Sequence, residues 1–409
     1  MTDRPVKASA PVRVCDVAVV GGGIAGLALA AALADTRLRV CVLEARGLPP
    51  AFADGGLASY DSRVSALTPR SIAFLRELGA WDRVSAWRHC PYGHMTVWDG
   101  EGTGRIEFDA AEVAAADLGS IVENGLVVRA LADSLQGVGN VSLCLNAALA
   151  SLTEHEGAVE LVLEDGSAIE AKLVVAADGA LSRARDLLGL GTREWDYGHR
   201  AIVTTAVFER SHRHTAWQRF LQSGPLALLP LGGGDERTCS IVWSIEEALA
   251  DDLLERDDAG FAEALTQASE AVLGRVTDCA PRYGFPLRQR HAVDYVKPRA
   301  ALVGDAAHTI HPLAGQGINL GLADVAVLAE ELRRAVDLGL EPGSIAVLNR
   351  YQRRRKGDNL RMMAAMDGFK RLFGSDALPL RWLRNTGMRG VASLPAVKRR
   401  IIREAMGVV

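Results

Sequence analysis

A run of glycines at the end of a short apolar segment constrains this chain more than any other feature. Val14 to Val20 is rich in β-branched residues and fits a buried strand. Gly21-Gly22-Gly23-Ile24-Ala25-Gly26 follows at once, then the Ala- and Leu-rich stretch from Leu27 to Leu33, then a second strand signal at Val40 to Leu43. Strand, glycine turn, helix and strand in that order make a βαβ unit. The turn contains G-x-G-x-x-G, and Glu44 lies 18 residues beyond Gly26 at the end of the second strand. A glycine-rich turn alone is common, but this context matches a dinucleotide-binding fingerprint. Gly21 allows the tight turn, Gly23 lets backbone approach a pyrophosphate, and Gly26 lets helix and strand pack closely. The helix N-terminus offers N–H groups and a positive dipole to the phosphates. Glu44 can accept from both ribose hydroxyls, and its charge repels a 2′-phosphate. The fingerprint does not by itself choose between NAD and FAD.

Two later segments share the same grammar. Leu173 to Ala177 ends in Asp178-Gly179, and Ala300 to Val303 ends in Gly304-Asp305. Both read as buried parallel strands whose C-terminal ends face a ligand. Between them, Ala201 to Phe208 and Cys239 to Trp243 are β-branched and flank the turn signal Gly232-Gly233-Gly234, which predicts an inserted antiparallel sheet. Gln316 to Val336 is helical in pattern, and the chain beyond Tyr351 is mainly helical with breaks at Gly374, Pro379 and Pro395. The expected class is α/β: a discontinuous Rossmann-like dinucleotide domain (12–84, 118–190 and 292–345), an inserted β-sheet substrate domain (85–117 and 191–291) and a helical C-terminal region (346–409).

Composition narrows the setting. The 409 residues suffice for two substantial cores. No run of 18 apolar residues predicts a membrane-spanning helix, and the polar first 11 residues lack the apolar stretch of a signal peptide. The six cysteines are far apart in sequence without a C-x-x-C pair, so they read as reduced packing residues of a cytosolic protein rather than zinc ligands or a redox dithiol. Charge is uneven: residues 350–409 hold 15 Lys/Arg against 4 Asp/Glu, on an otherwise acidic body. Such a tail suits either an anionic partner or a solvated helical face.

Three motifs carry a family resemblance. Asp178-Gly179-Ala180-Leu181-Ser182-Arg183-Ala184-Arg185 resembles the D-G-x-x-S-x-x-R motif of flavin-dependent aromatic hydroxylases. Gly304-Asp305-Ala306-Ala307-His308 resembles their G-D-A-A-H, and Pro312-Leu313-Ala314-Gly315-Gln316-Gly317-Ile318-Asn319 their P-x-x-G-Q-G-x-N. The chemistry is sensible without the family. A carboxylate at Asp305 can accept from ribitol hydroxyls. Backbone N–H groups of Gly315, Gln316 and Gly317, opening a helix, suit the flavin edge that gains negative charge on reduction. Pro312 can press against the ring with no N–H to satisfy.

The resemblance spans Val14 to Gly407 and is strongest to the ubiquinone-biosynthesis ring hydroxylases, through residues 63–68, 97–99, 117–124, 195–197, 239–244 and 285–287 among others. Within that group the chain most resembles members that oxidise ring carbon five of 2-polyprenylphenols. The resemblance implies FAD as cofactor, with Gly304 and Asn319 completing the set above and Arg63 and Arg129 also touching it. It implies NAD(P)H as a transient reductant, O2 as co-substrate, a flavin C4a-hydroperoxide as the oxygen donor, and no nucleic-acid partner. His308 and His311 are candidates for a base on the phenol, though histidines in such turns are more often structural, and no catalytic base is assigned. Trp243 and Phe285 suit either a tail pocket or a core. A prenyl-chain reductase of the same fold and a non-catalytic scaffold of a quinone-synthesis complex are the alternatives. Because a polyprenyl substrate resides in a bilayer, Lys370 to Arg403, which mixes basic and apolar residues, is expected either to visit the inner membrane surface or to pack on the flavin domain.

Overall fold

The computed structural model describes residues 13–52, 55–100, 102–309, 317–373, 387, 390–391 and 393–407. Its centre is a parallel sheet. The strand Arg13–Val20 lies between Ala168–Ala176 and Val40–Glu44, flanked in turn by Ala300–Leu302 and Val141–Leu145. Val17, Val19, Val42, Leu173, Val174 and Ala301 are among its fully or nearly fully buried residues, as continuous apolar runs in a doubly covered sheet must be. The helix Ile24–Ala32 packs on the helices Asn124–Ser134 and Gly317–Asp337 over this sheet.

The register does the positioning. Val20 pairs with Ala176 on one side and Leu43 on the other, and Ala176 pairs with Leu302. Gly21, Asp178 and Gly304 therefore leave the sheet side by side at one edge. Glu44 ends the neighbouring strand at the same edge. The three strands expected from the glycine and aspartate turns are thus present and adjacent. Val141–Leu145 was not anticipated: its Val-Ser-Leu-Cys-Leu alternation is short and no glycine turn marks its end. Nor was the antiparallel pair Leu149–Glu154 and Val159–Leu163, which extends Ala168–Ala176 on its outer side.

The inserted sheet has nine strands built around Thr192–Phe208. This long strand pairs antiparallel with Thr238–Glu246, with Ile202 opposite Trp243, and with Tyr283–Ala292. The sheet continues through Gly224–Pro230, Thr215–Leu221, His94–Asp99 and Arg105–Asp109. The glycine turn at 232–234 joins Gly224–Pro230 to Thr238–Glu246 rather than the two strands read from sequence, and Gly233 and Gly234 take φ of +86° and +76° there. The hairpin Thr215–Leu221 with Gly224–Pro230 escaped notice because Gln218 and Arg219 interrupt its apolar pattern. Both are buried, and the Arg219 guanidinium donates to the Ala268 carbonyl at 2.7 Å and pairs with Glu270. Phe208, Trp243, Phe261 and Leu265 form a second core under this sheet.

The long helix Ile345–Phe373 is pinned to the parallel sheet by the Tyr351 hydroxyl, which donates to the Leu302 carbonyl at 2.7 Å. The break expected at Pro395 is present: Leu394 interrupts the helical run, and Pro395 opens the helix Pro395–Met406 at its first turn, where its missing N–H costs nothing. Ile402 and Met406 of that helix pack on Ala110 and Leu118. The breaks expected at Gly374 and Pro379 lie outside the described residues. Among the described residues no helix is long and apolar enough to cross a membrane.

One position tests this architecture. A Cβ on Gly26 would stand 1.9 Å from the Gly21 carbonyl oxygen. Gly26→Val is expected to cost at least the about 1–3 kcal/mol of an overpacked core site, and to yield protein without bound flavin. Visible absorbance and thermal unfolding of the purified variant check this; wild-type flavin content and unfolding temperature would contradict it.

Candidate functional site

The first turn is shaped for a phosphate. Gly21 has φ of +109°, and a Cβ there would meet the Ala177 carbonyl oxygen at 2.4 Å, so only glycine lets the first and second turns lie this close. Gly23 caps the helix Ile24–Ala32; among the described residues no side chain is bonded to its first N–H groups, and the space where a Gly23 Cβ would stand is open. An uncapped helix N-terminus facing open space is an anion site. The Glu44 carboxylate accepts the Gly22 N–H at 2.7 Å and the Arg46 N–H at 3.0 Å. These bonds fix its rotamer beside the turn and leave lone pairs for a ribose.

In the second turn the Asp178 carboxylate accepts the Ser182 hydroxyl and the Ala184 N–H, the latter at 3.0 Å. Ser182 in turn caps the short helix Arg183–Leu187 by accepting the Arg185 N–H. Asp178 therefore organises its own loop. Arg185, only 3% exposed, donates from one nitrogen to the carbonyls of Ala180 and Ala306 and so ties the second turn to the third.

The third turn rests on a carboxylate that sequence reading missed. Asp324, fully buried on the helix Gly317–Asp337, accepts the Gly304 N–H at 3.1 Å, the Arg355 guanidinium at 2.8 Å and the Asn359 amide at 3.1 Å, and pairs with His308. Burial alone would raise the Asp324 carboxyl, but His308 and Arg355 outweigh it and hold the group below the usual carboxylate range. Its signal was present: Asp324 is the first acid in the apolar run that begins at Gly317. Gly304 takes φ of +60° and lies against Ala25 and Gly321, which brings the helix that carries Asp324 onto the glycine-turn helix.

Asp305 differs from both other aspartates. Among the described residues no donor meets its carboxylate. Burial pushes this group up, while the positive fields of His308 and Arg63 pull it down. A largely enclosed carboxylate without a donor is an acceptor waiting for a ligand hydroxyl.

The remaining expected contacts divide. Arg63 is exposed but close enough for its charge to act on Asp305. Arg129 is engaged within its own helix, donating to Asp133 at 3.0 Å. Asn319 donates to the Ala66 carbonyl at 2.8 Å and accepts the Thr68 N–H at 3.0 Å, so both ends of its amide hold the strand Val64–Leu67. Gly317 is the first described residue of the helix Gly317–Asp337. Pro312, Gly315, Gln316 and His311 lie outside the described residues.

An apolar cavity of about 70 Å³ lies where Val64–Leu67 faces the inserted sheet, walled by Val64, Ala66, Ile121, Ala227, Leu229 and Val242. Trp243 and Phe285 are absent from its wall. Trp243 packs on Phe261 in the second core, and Phe285 stands 42% exposed. Strand alternation puts Val242 toward the cavity and its neighbour Trp243 away from it.

The uncapped helix, the open space at Gly23, Glu44 and the donor-free Asp305 together fit an FAD, whose pyrophosphate, ribose and ribitol need those groups in that order. The fold and site define an FAD-binding oxidoreductase. The FAD binding domain family matches residues 14–365, and the chain belongs to it. The chain is 39% identical over 407 residues, the whole of both chains, to the 3-demethoxyubiquinol 3-hydroxylase of Escherichia coli. It is 39% identical over 403 residues to ubiquinone hydroxylase UbiL of Rhodospirillum rubrum, covering 98% of this chain and 92% of that one. The human ubiquinone biosynthesis monooxygenase COQ6 is 34% identical, covering 95% and 92%. The fold matches that of p-nitrophenol 4-monooxygenase from Pseudomonas putida, at TM-score 0.78, 21% identity and 97% and 99% coverage. The protein is an FAD-dependent aromatic-ring monooxygenase of the ubiquinone-biosynthesis hydroxylase family.

Asp305→Ala removes the acceptor without touching the turn's backbone. A charge-assisted hydrogen bond is worth about 1.5–3 kcal/mol, so FAD affinity is expected to fall about ten- to a hundredfold. Fluorescence titration of apoprotein with FAD measures it; unchanged affinity would remove Asp305 from the site.

Proposed function

We propose that the protein hydroxylates the ring of a polyprenylated phenol in ubiquinone biosynthesis, with NAD(P)H and O2. The observation that carries this reading is the link between the apolar cavity and the helix Gly317–Asp337. Asn319 stands two residues into the helix that opens at Gly317, and its amide grips the strand whose Val64 and Ala66 wall the apolar cavity. A ring seated there lies against an apolar wall that includes the strand held by Asn319. Bound FAD supplies two-electron uptake from the nicotinamide and oxygen transfer. The chain's own work is positional. Gly21, Gly23 and Gly26 admit the pyrophosphate, Glu44 and Asp305 accept sugar and ribitol hydroxyls, and Asp178 and Arg185 hold the turns around them. Arg63 offsets charge near Asp305, Arg129 borders the same helix layer, and the cavity wall excludes water from the ring.

The quinone intermediate that accumulates in a strain lacking the protein tests the reading and fixes the ring position. A polyprenylphenol lacking oxygen at carbon five is expected. A demethoxyubiquinol, the compound in the name of the Escherichia coli relative, would reassign the position. Normal ubiquinone would contradict the reading.

The substrate's tail places the enzyme, a cytoplasmic protein in this reading, at the inner membrane surface or in a quinone-synthesis complex. The C-terminal helix divides its faces: Ile402 and Met406 pack inward and Lys398 pairs with Glu112. Leu394, Val397 and Ile401 remain 54%, 43% and 37% exposed beside Arg399 and Arg403. Such a strip suits anionic lipid, at about 1 kcal/mol per basic residue. Co-sedimentation with anionic vesicles at low salt is expected, and loss of binding in the Arg399→Glu, Arg403→Glu variant. Protein left in the supernatant would assign substrate delivery to a partner.

A further inference from the structure

Two of the cysteines that lie far apart in sequence meet in the fold. Cys41 is on Val40–Glu44 and Cys144 on the adjacent parallel strand Val141–Leu145, and their sulfurs are 3.6 Å apart. The Arg13 guanidinium donates to the Cys144 sulfur at 3.2 Å. Cys41 is buried, whereas Cys144 is partly open to solvent. None of these three residues has a part in the cofactor or ring chemistry above.

We propose that Cys41 and Cys144 form a site of reversible oxidation by hydrogen peroxide, with Cys144 as the attacking thiol and Cys41 as the resolving one. Pairing, exposure and charge all favour that division. A thiolate is the nucleophile, and a neighbouring cation and a donated hydrogen bond both favour the thiolate. The hydrogen bond with Cys41 and the Arg13 charge lower the Cys144 thiol below its ordinary range against the opposing effect of burial. The other cysteines differ: burial pushes Cys15, Cys90, Cys239 and Cys279 up. For Cys41, the hydrogen bond to Cys144 and then burial act in the same upward direction.

The Cys144 thiolate attacks one peroxide oxygen, the O–O bond breaks, and hydroxide leaves to become water with one proton. Cys144 is then a sulfenic acid. The Cys41 sulfur attacks the Cys144 sulfur, the S–O bond breaks, and the departing hydroxide takes the Cys41 proton as a second water. Two thiols and one peroxide give one disulfide and two waters. Cys41 is paired with Ser142 and Cys144 with Leu43, so the two are diagonal neighbours, and the bridge would draw the strand that ends in Glu44 toward its neighbour at that point.

The test uses the purified holoprotein, stoichiometric hydrogen peroxide, alkylation of remaining thiols and peptide mass mapping, so its outcome is independent of whether the ring reaction is correctly assigned. The expected product is about 2 Da lighter than the reduced chain. It carries two fewer alkylatable thiols and a Cys41–Cys144 cross-linked peptide that dithiothreitol releases. Cys41→Ser is expected to stop at a Cys144 sulfenic acid trapped by dimedone, Cys144→Ser to lose the fast reaction, and Arg13→Gln to slow it at neutral pH. Oxidation spread over other cysteines, a bridge to Cys15, or six unreacted thiols would overturn the proposal.

Discussion

The hydrogen-bonded register of three parallel strands sets where this molecule can do chemistry. Val20, Ala176 and Leu302 are paired across the sheet, so the residues that follow them emerge as one row. A slip of one residue in either pairing would send every side chain into the opposite packed layer and separate the turns. The burial of Val17 to Val19, Leu173 to Ala176 and Ala300 to Val303 is what forbids that slip. The hydrophobic effect, at about 25 cal/mol per Å² buried, thus fixes a polar site whose residues contribute little burial themselves.

The row of turns is locked from behind by one carboxylate. Asp324 joins the Gly304 backbone, His308, Arg355 and Asn359, and Arg355 and Asn359 come from the long helix that Tyr351 fastens to the same strand. Removing one partner of a buried charge pair costs about 3–5 kcal/mol because the other is left uncompensated. Since the folded Asp324 carboxyl lies below its unfolded value, its contribution is present above the unfolded value and is lost as pH falls through the folded one. Asp324 builds the turn, whereas the Asp305 carboxylate in the same motif region meets no donor among the described residues.

The parts of the molecule marked by backbone necessity were legible in the sequence. Glycines at 21 and 26 cannot be other residues for steric reasons, and the strands before Gly21, Asp178 and Gly304 announced themselves as apolar runs with abrupt ends. The helix from Gly317 was equally plain. What escaped was whatever depends on distant partners. Arg219 makes sense inside a sheet only once the Ala268 carbonyl and Glu270 are seen beside it. Asn319, read as a cofactor residue, spends its amide on the strand Val64–Leu67, a contact across more than 250 positions of sequence. The approach of Cys41 to Cys144 depends on a strand, Val141–Leu145, that the sequence pattern did not reveal.

The account stands or falls on whether oxygen enters the ring. Turnover of purified holoprotein with NAD(P)H, a short-chain 2-polyprenylphenol and isotopically labelled O2, followed by mass analysis of the product, measures this directly. The account predicts one labelled oxygen atom in the hydroxylated ring. Reduction of the prenyl chain without label, or no product despite bound FAD, would contradict it.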